Sequence, residues 1–230
     1  MHVAAQVVAA APQVHIVVTS QAPLQARGER VFRLGPLAVP NAPILPGDIP
    51  DWGALALFDA RVRALDRHFT WTAATVELAR TVCLRLDGAP LAIELAAARV
   101  PLLGLAALAT GLDEPLAVLT RGPGDAPARQ RSLRAALEWS HALLNDDERV
   151  VFRRCAVFAG GFTLPAGQAV LGDERLDEWA VLEHLGTLVD KSLLVADATE
   201  PRRCRLLESA REYALEKLTG SGEAPSVRSR

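Results

Sequence analysis

Most of the groups that catalytic chemistry draws on are scarce in this sequence. The three cysteines, Cys83, Cys155 and Cys204, stand far apart with no C-x-x-C spacing. They cannot all pair within one chain, and they suit buried small apolar side chains in a reducing compartment. The five histidines are equally scattered, which argues against a metal site. There is no H-E-x-x-H, no G-x-S-x-G and no pair of carboxylates in a glycine-rich loop. A G-x-x-x-x-G-K-[ST] phosphate loop is missing, as is an apolar strand ending in Asp-Asp or Asp-Asn to hold Mg2+. The glycine-rich pieces at 121–124 and 160–161 lack the lysine and the preceding strand. No apolar run approaches the roughly 18 residues of a membrane span. The apolar start of the chain has no basic n-region, so it does not read as a signal peptide.

What is abundant is aliphatic. Half of the 230 residues are hydrophobic and only 5% are aromatic, so the core must be built from Ala, Leu and Val, which favours helices. That length allows one large or two small domains. Residues 3–11 read as a short helix. V-H-I-V-V at 14–18 reads as a buried strand, with Thr19 and Ser20 at its carboxyl end, where α/β folds bind ligands. Residues 31–37 suggest another short strand, and five prolines mark 36–50 as a loop. Helical spacing then takes over in Leu55, Phe58, Val62 and Leu65, and in Val76, Ala79, Val82, Cys83 and Leu86. The stretch L-D-G-A-P-L-A-I-E-L-A-A-A-R at 86–99 places Pro90 in the first turn of a helix whose apolar run is broken only by Glu94. Alone, that proline is a helix-start signal. It also sits rigidly at the mouth of a buried helix, where a flat ligand could pack. One or two short helices fill 102–119.

The turn-rich segment 121–129 is a boundary. Beyond it Leu133, Leu137, Ser140 and Leu144 line one helix face, and Asn145 with Glu148 has capping-box spacing. The helix so started carries Val151, Phe152, Cys155 and Phe158 and is expected to stop at Gly160-Gly161. A short helix at 165–171 follows, then one marked by Leu182, Leu185, Leu188 and Val189. Two strands are expected at 193–196 and 203–207, a last helix at 208–218 and a disordered Gly/Ser/Arg-rich tail from Thr219. Helices followed by a β-hairpin are the order of a winged helix-turn-helix. Trp71, Trp139 and Trp179 read as core anchors, Tyr213 as packing for the last helix, and His184 as a solvated or capping residue.

Four strings, taken in order, resemble the second half of a signal-transduction ATPase of the NB-ARC (STAND) type, above all in bacterial transcriptional regulators. V-V-T-S-Q-A-P-L with G-E-R-V-F looks like the sensor segment, and L-D-G-A-P-L-A-I-E-L looks like the Gly-x-Pro motif of the helical subdomain. R-S-L-R-A-A-L-E-W-S with F-R-R-C-A-V-F-A-G-G-F looks like the start of the winged helix, and V-D-K-S-L-L with R-L-L-E-S-A-R-E-Y-A looks like its end. The resemblance covers about 1–218 and implies roles. Pro90 would pack on the adenine of ADP or ATP, with Leu91 beside it and Gly88 allowing close approach. Thr19, Ser20 and Gln21 would form the phosphate-sensing segment. Gln21 stands where the family has an arginine, and glutamine neutralises no phosphate charge. Leu206, Leu207 and Glu208 stand where animal and plant relatives have Met-His-Asp. The missing phosphate loop and acidic strand belong to the half that precedes these motifs in the family, and Met1 would fall inside the helix after the metal-binding strand.

The expected fold is mainly α. An α/β remnant of the nucleotide domain spans 1–40, a helical subdomain 51–120, a winged-helix subdomain 128–218 and a disordered tail 219–230. The expected function is a truncated, cytoplasmic ATP/ADP-binding switch module of a transcriptional regulator. ADP would clamp the winged helix onto the nucleotide domain, bound weakly or not at all by this chain alone. No catalysis and no Mg2+ site are expected, and the partner would be the missing nucleotide-binding half or a DNA-binding domain. The alternatives are a DNA-binding winged helix and a non-functional gene fragment. Arginines at 129–154 and 202–205 favour DNA. The helix at 176–190, acidic through Asp177, Glu178, Glu183 and Asp190, would repel phosphates, so direct DNA contact is not expected. No membrane contact is expected either.

Overall fold

The structure, a computed structural model, describes residues 6–7, 10–11, 13–20, 23–24, 26–112, 115–119, 127, 130–197 and 201–230. The protein is mainly helical with one small sheet. A 3-10 helix at Pro46–Asp51 leads into α1 (Gly53–Leu65), α2 (Ala73–Arg85), α3 (Pro90–Ala97), α4 (Val100–Gly111, kinked at Gly104) and α5 (Pro115–Val118). The second group is α6 (Leu133–Ala142), α7 (Asp146–Arg154), β1 (Phe162–Thr163), α8 (Leu164–Leu171) and α9 (Glu178–Asp190). It continues with β2 (Val195–Ala196), β3 (Arg203–Arg205), α10 (Glu208–Ser221) and α11 (Ala224–Arg228). The strands pair antiparallel in the order β1-β3-β2, with Phe162 opposite Cys204 and Val195 opposite Arg205.

The predicted helical faces are the buried ones. Leu55, Phe58 and Val62 of α1 and Val76, Ala79, Val82 and Cys83 of α2 are sealed from solvent. In α3 five of the eight residues are buried, and Glu94 escapes the core by accepting from Arg61 of α1 at 2.6 Å and 3.1 Å. Leu65 is the exception, exposed at the end of α1. One continuous apolar cluster runs through both groups of helices, because α3 packs on α6 and α10 packs on α5, α6 and α7. Tyr213 of α10 is buried in it, and all three cysteines are free and buried. Burial pushes the Cys83 thiol up to about 12, which keeps it protonated and unreactive.

Ion pairs fasten the second group. The Asn145–Glu148 capping box forms as its spacing predicts, with the Glu148 N–H on Asn145 Oδ1 at 2.8 Å. Glu148 is buried, and Lys191, just past α9, donates to it at 2.6 Å. Buried Arg154 bonds Asp173 at 2.6 Å, Glu223 at 3.2 Å and the Leu171 carbonyl at 2.7 Å. Burial alone would raise the Asp173 carboxyl, but Arg154 and the N–H groups of Leu176 and Arg175 outweigh it and pull it down to about 2.

Several expectations are corrected. Residues 14–18 and 31–37 form no strand: Val17 is 94% exposed and Phe32 85%, and no neighbouring strand pairs with either segment among the described residues. The helix begun at Asn145 ends at Arg154 and passes through a 3-10 turn, Cys155–Val157, well before Gly160. The tail from Thr219 is ordered. Helix α10 continues to Ser221, α11 buries Val227, Glu223 pairs with Arg153 and Arg154, and Arg230 donates to the Gly172 carbonyl. Trp179 is not a core anchor but 78% exposed, and Trp139 lies largely at the surface. Trp71 is half-buried against Phe58 and Phe69, its indole N–H on Asp59. Most of 1–11 and of 121–129 lies outside the described residues, so the helix and the boundary expected there do too.

His141 adds a pH dependence. Its ring packs against Phe152 and Tyr213. Burial, then the cations Lys217, Arg149 and Arg153, hold it down to about 4. The unfolded chain, with its histidine near 6.5, takes up that proton first. The neutral ring therefore contributes stability above pH 6.5 that is lost as pH falls from there toward 4. Urea unfolding at pH 7 and pH 5 should show a larger loss for the wild type than for His141→Leu. Equal losses would refute this.

Candidate functional site

The turn between α2 and α3 sets the site. Asp87 and Gly88 both take left-handed backbone, with φ of 53° and 66°, a conformation that Asp and Gly tolerate best. The Gly88 N–H closes α2 on the Cys83 carbonyl at 3.0 Å, while the Gly88 carbonyl accepts from the Leu37 N–H at 2.9 Å. A Cβ on Gly88 would lie 2.1 Å from the Leu37 carbonyl oxygen. The glycine thus admits the chain's own backbone at Leu37.

Two residues on, Pro90 starts α3 and remains exposed at the edge of a cleft of about 570 Å³. Thr19 and Ser20 line the same cleft, as do Phe32, Arg33 and Leu34 from the extended segment that follows. The far side belongs to the second group of helices: Val189 and Asp190 at the end of α9, Ser192, Leu194, and Leu207 before α10. The structure therefore gathers Thr19, Ser20 and Pro90. Leu91 is half-buried against the core and does not line the cleft, and Gln21 lies outside the described residues. Of the Met-His-Asp positions, Leu207 reaches the cleft and Leu206 is buried.

Two polar bridges join the sides of this region, and neither was legible in the sequence. Arg33 donates to Asp190 and, at 3.3 Å, to the Val189 carbonyl. Both its side chain and that of Asp190 are about half exposed, so the pair contributes about 0.2–1 kcal/mol. Asp87 makes the second bridge. It accepts from Arg205 of β3 at 3.0 Å and from the backbone N–H of Glu208 at 2.7 Å. Leu207, the N-cap residue of α10, has no capping side chain of its own. Asp87 supplies the missing carboxylate from the other group of helices, where the positive end of the helix dipole favours it. The D-G pair signals a turn, but nothing in it names a partner 121 residues away.

Among the described residues no group of three or more His, Cys, Asp or Glu side chains comes together. The Ser140 hydroxyl donates back to the Ala136 carbonyl, and the His141 ring faces Phe152 and Tyr213. No helix among the described residues has the length and apolarity to cross a membrane.

No protein-family profile matches the chain. It is 42% identical over 220 residues to a protein of Mycobacterium tuberculosis (strain H37Rv) named "Putative HTH-type transcriptional regulator", and equally so to its counterpart in Mycobacterium bovis. These matches cover 95% of this chain and 24% of each relative. It is also 39% identical over 221 residues to an "Uncharacterized protein" of Mycobacterium tuberculosis, covering 95% of this chain and 53% of that protein. The chain thus spans about a quarter of the named regulators and about half of the other relative.

The Asp87 bridge makes a measurable claim. Asp87→Ala and Arg205→Ala should each destabilise the protein, and a double-mutant cycle should give a coupling of about 1 kcal/mol. Asp87→Ala should also speed amide exchange in the first turn of α10, which Arg205→Ala leaves protected. Additive losses with unchanged exchange would remove the bridge as a structural element.

Proposed function

We propose that this chain is a regulatory switch module of the NB-ARC type, acting within a transcriptional regulator rather than as an enzyme. The observation that carries the reading is the composition of one cleft. It joins Thr19, Ser20 and Pro90 to Val189, Asp190 and Leu194 of the second helical group. A ligand held there touches both groups, so its presence biases how they sit together, which is what a switch requires. The names of the regulator relatives favour a regulatory role.

The walls suit an adenine nucleoside. Pro90, Phe32, Leu34, Leu194 and Leu207 offer apolar surface for a flat base, and Thr19 and Ser20 offer hydroxyls. In this reading residues 51–120 are the helical subdomain, and residues 128–218, with the β2–β3 hairpin, are the winged helix. When bound, ADP or ATP supplies the adenine that bridges the two. The sequence has no phosphate loop and no Mg2+-holding strand, so the module binds phosphate poorly and hydrolyses nothing by itself. A second chain or segment bearing those motifs is the expected partner.

A duplex-binding role for α9 is disfavoured. Its exposed residues include Glu178 and Glu183, following the N-cap Asp177, and this face repels a phosphate backbone.

Calorimetric titration tests the reading. Adenosine and ADP should bind weakly and within about tenfold of one another, since the phosphates find little grip. Phe32→Ala should weaken both by several-fold. Absence of any adenosine binding, or ADP binding far more tightly than adenosine, would overturn it.

A further inference from the structure

We infer that Arg33 is the charge-reading residue of the cleft and that Asp190 competes with an anionic ligand for it. Its use by a nucleotide rests on the adenine reading above. Arg33 lines the cleft beside Thr19 and Ser20, and its guanidinium spans Asp190 and the Val189 carbonyl at the C-terminal end of α9. That helix end carries partial negative charge from the backbone dipole, so the guanidinium sits there as a counter-ion. A guanidinium fork also matches two oxygens of a phosphate or a carboxylate equally well. The pair is about half open to water, so the Asp190 carboxylate is a weak and exchangeable partner. Arg30 lines the same wall and adds a second cation, while Glu29 turns its carboxylate to the N–H groups of Leu24 and Ala26.

The ligand class that fits is an oligophosphate, whose several oxygens can outbid a single carboxylate. Its arrival takes Arg33 from Asp190 and so unfastens the extended segment 31–35 from the end of α9. Charge in the cleft is thereby read out as the loss of a bridge between the N-terminal segment and the second helical group. In the resting protein Asp190 masks Arg33.

The test titrates inorganic tripolyphosphate into the whole chain by calorimetry, with adenosine titrated in parallel. Removing the competitor in Asp190→Asn should tighten tripolyphosphate by about threefold, and Arg33→Ala should weaken it by at least about as much. Arg33→Lys should recover part of the loss, because charge persists without the fork. Adenosine carries no charge for Arg33 to read, so its affinity should shift in the same direction in Asp190→Asn and Arg33→Ala, both of which release segment 31–35, while tripolyphosphate affinity shifts in opposite directions. Both positions are half exposed, and circular dichroism verifies that each variant is folded. Tripolyphosphate that fails to bind, or that binds the wild type, Asp190→Asn and Arg33→Ala alike, overturns the role of Arg33 whatever adenosine does. Adenosine that fails to bind while the tripolyphosphate series holds overturns only the adenine reading.

Discussion

The close passage of the Leu37 backbone over Gly88 is the constraint on which the arrangement depends. A carbonyl oxygen lies where any side chain at 88 would begin, and the Leu37 N–H is spent on the Gly88 carbonyl. That contact pins the extended N-terminal segment to the α2–α3 turn. It holds residues 36–37 beside the start of α3 at Pro90. It also leaves Asp87, one residue earlier in the same left-handed turn, facing the hairpin and the start of α10. One two-residue turn thus orients three things: the helix start at Pro90, the passing chain at Leu37 and the carboxylate that reaches the second helical group.

Helices were legible where the apolar period was strong. Phe58 and Val62, Val82 and Cys83, and Leu185 and Leu188 announce their faces because burial on one side of a helix selects apolar residues at that spacing. The Asn145–Glu148 box was legible for a different reason, since its two partners are three residues apart and satisfy each other locally. What failed was the inference from β-branched composition to a strand at 14–18. Such residues suit a pleated surface, but a strand exists only by pairing, and no partner strand is present among the described residues. The two-residue strand β1 escaped for the opposite reason: it is too short to show alternation, and its pairing with β3 comes from the fold.

The candidate site was half legible. Pro90, Thr19 and Ser20 line one cleft. The charged groups there were not foreseen as partners. Arg33 and Asp190 are separated by 157 residues, and Asp87 and Arg205 by 118. Sequence spacing carries no information about pairs that only tertiary packing creates. The same holds for Arg154, which belongs to the arginines that favour DNA in the sequence. It is instead buried, holding Asp173 and Glu223 and so ordering the last residues of the chain.

The alanine content of α3 has a mechanical consequence. Ala92, Ala96 and Ala97 are buried where this helix meets α1, α2, α4 and α6. Alanine has no rotamers, so these contacts cannot yield by a side chain swinging aside, as a leucine or methionine contact can. At these three positions the separation between α3 and its neighbours is set by backbone and Cβ alone, while Ile93 and Leu95 fill the space between them.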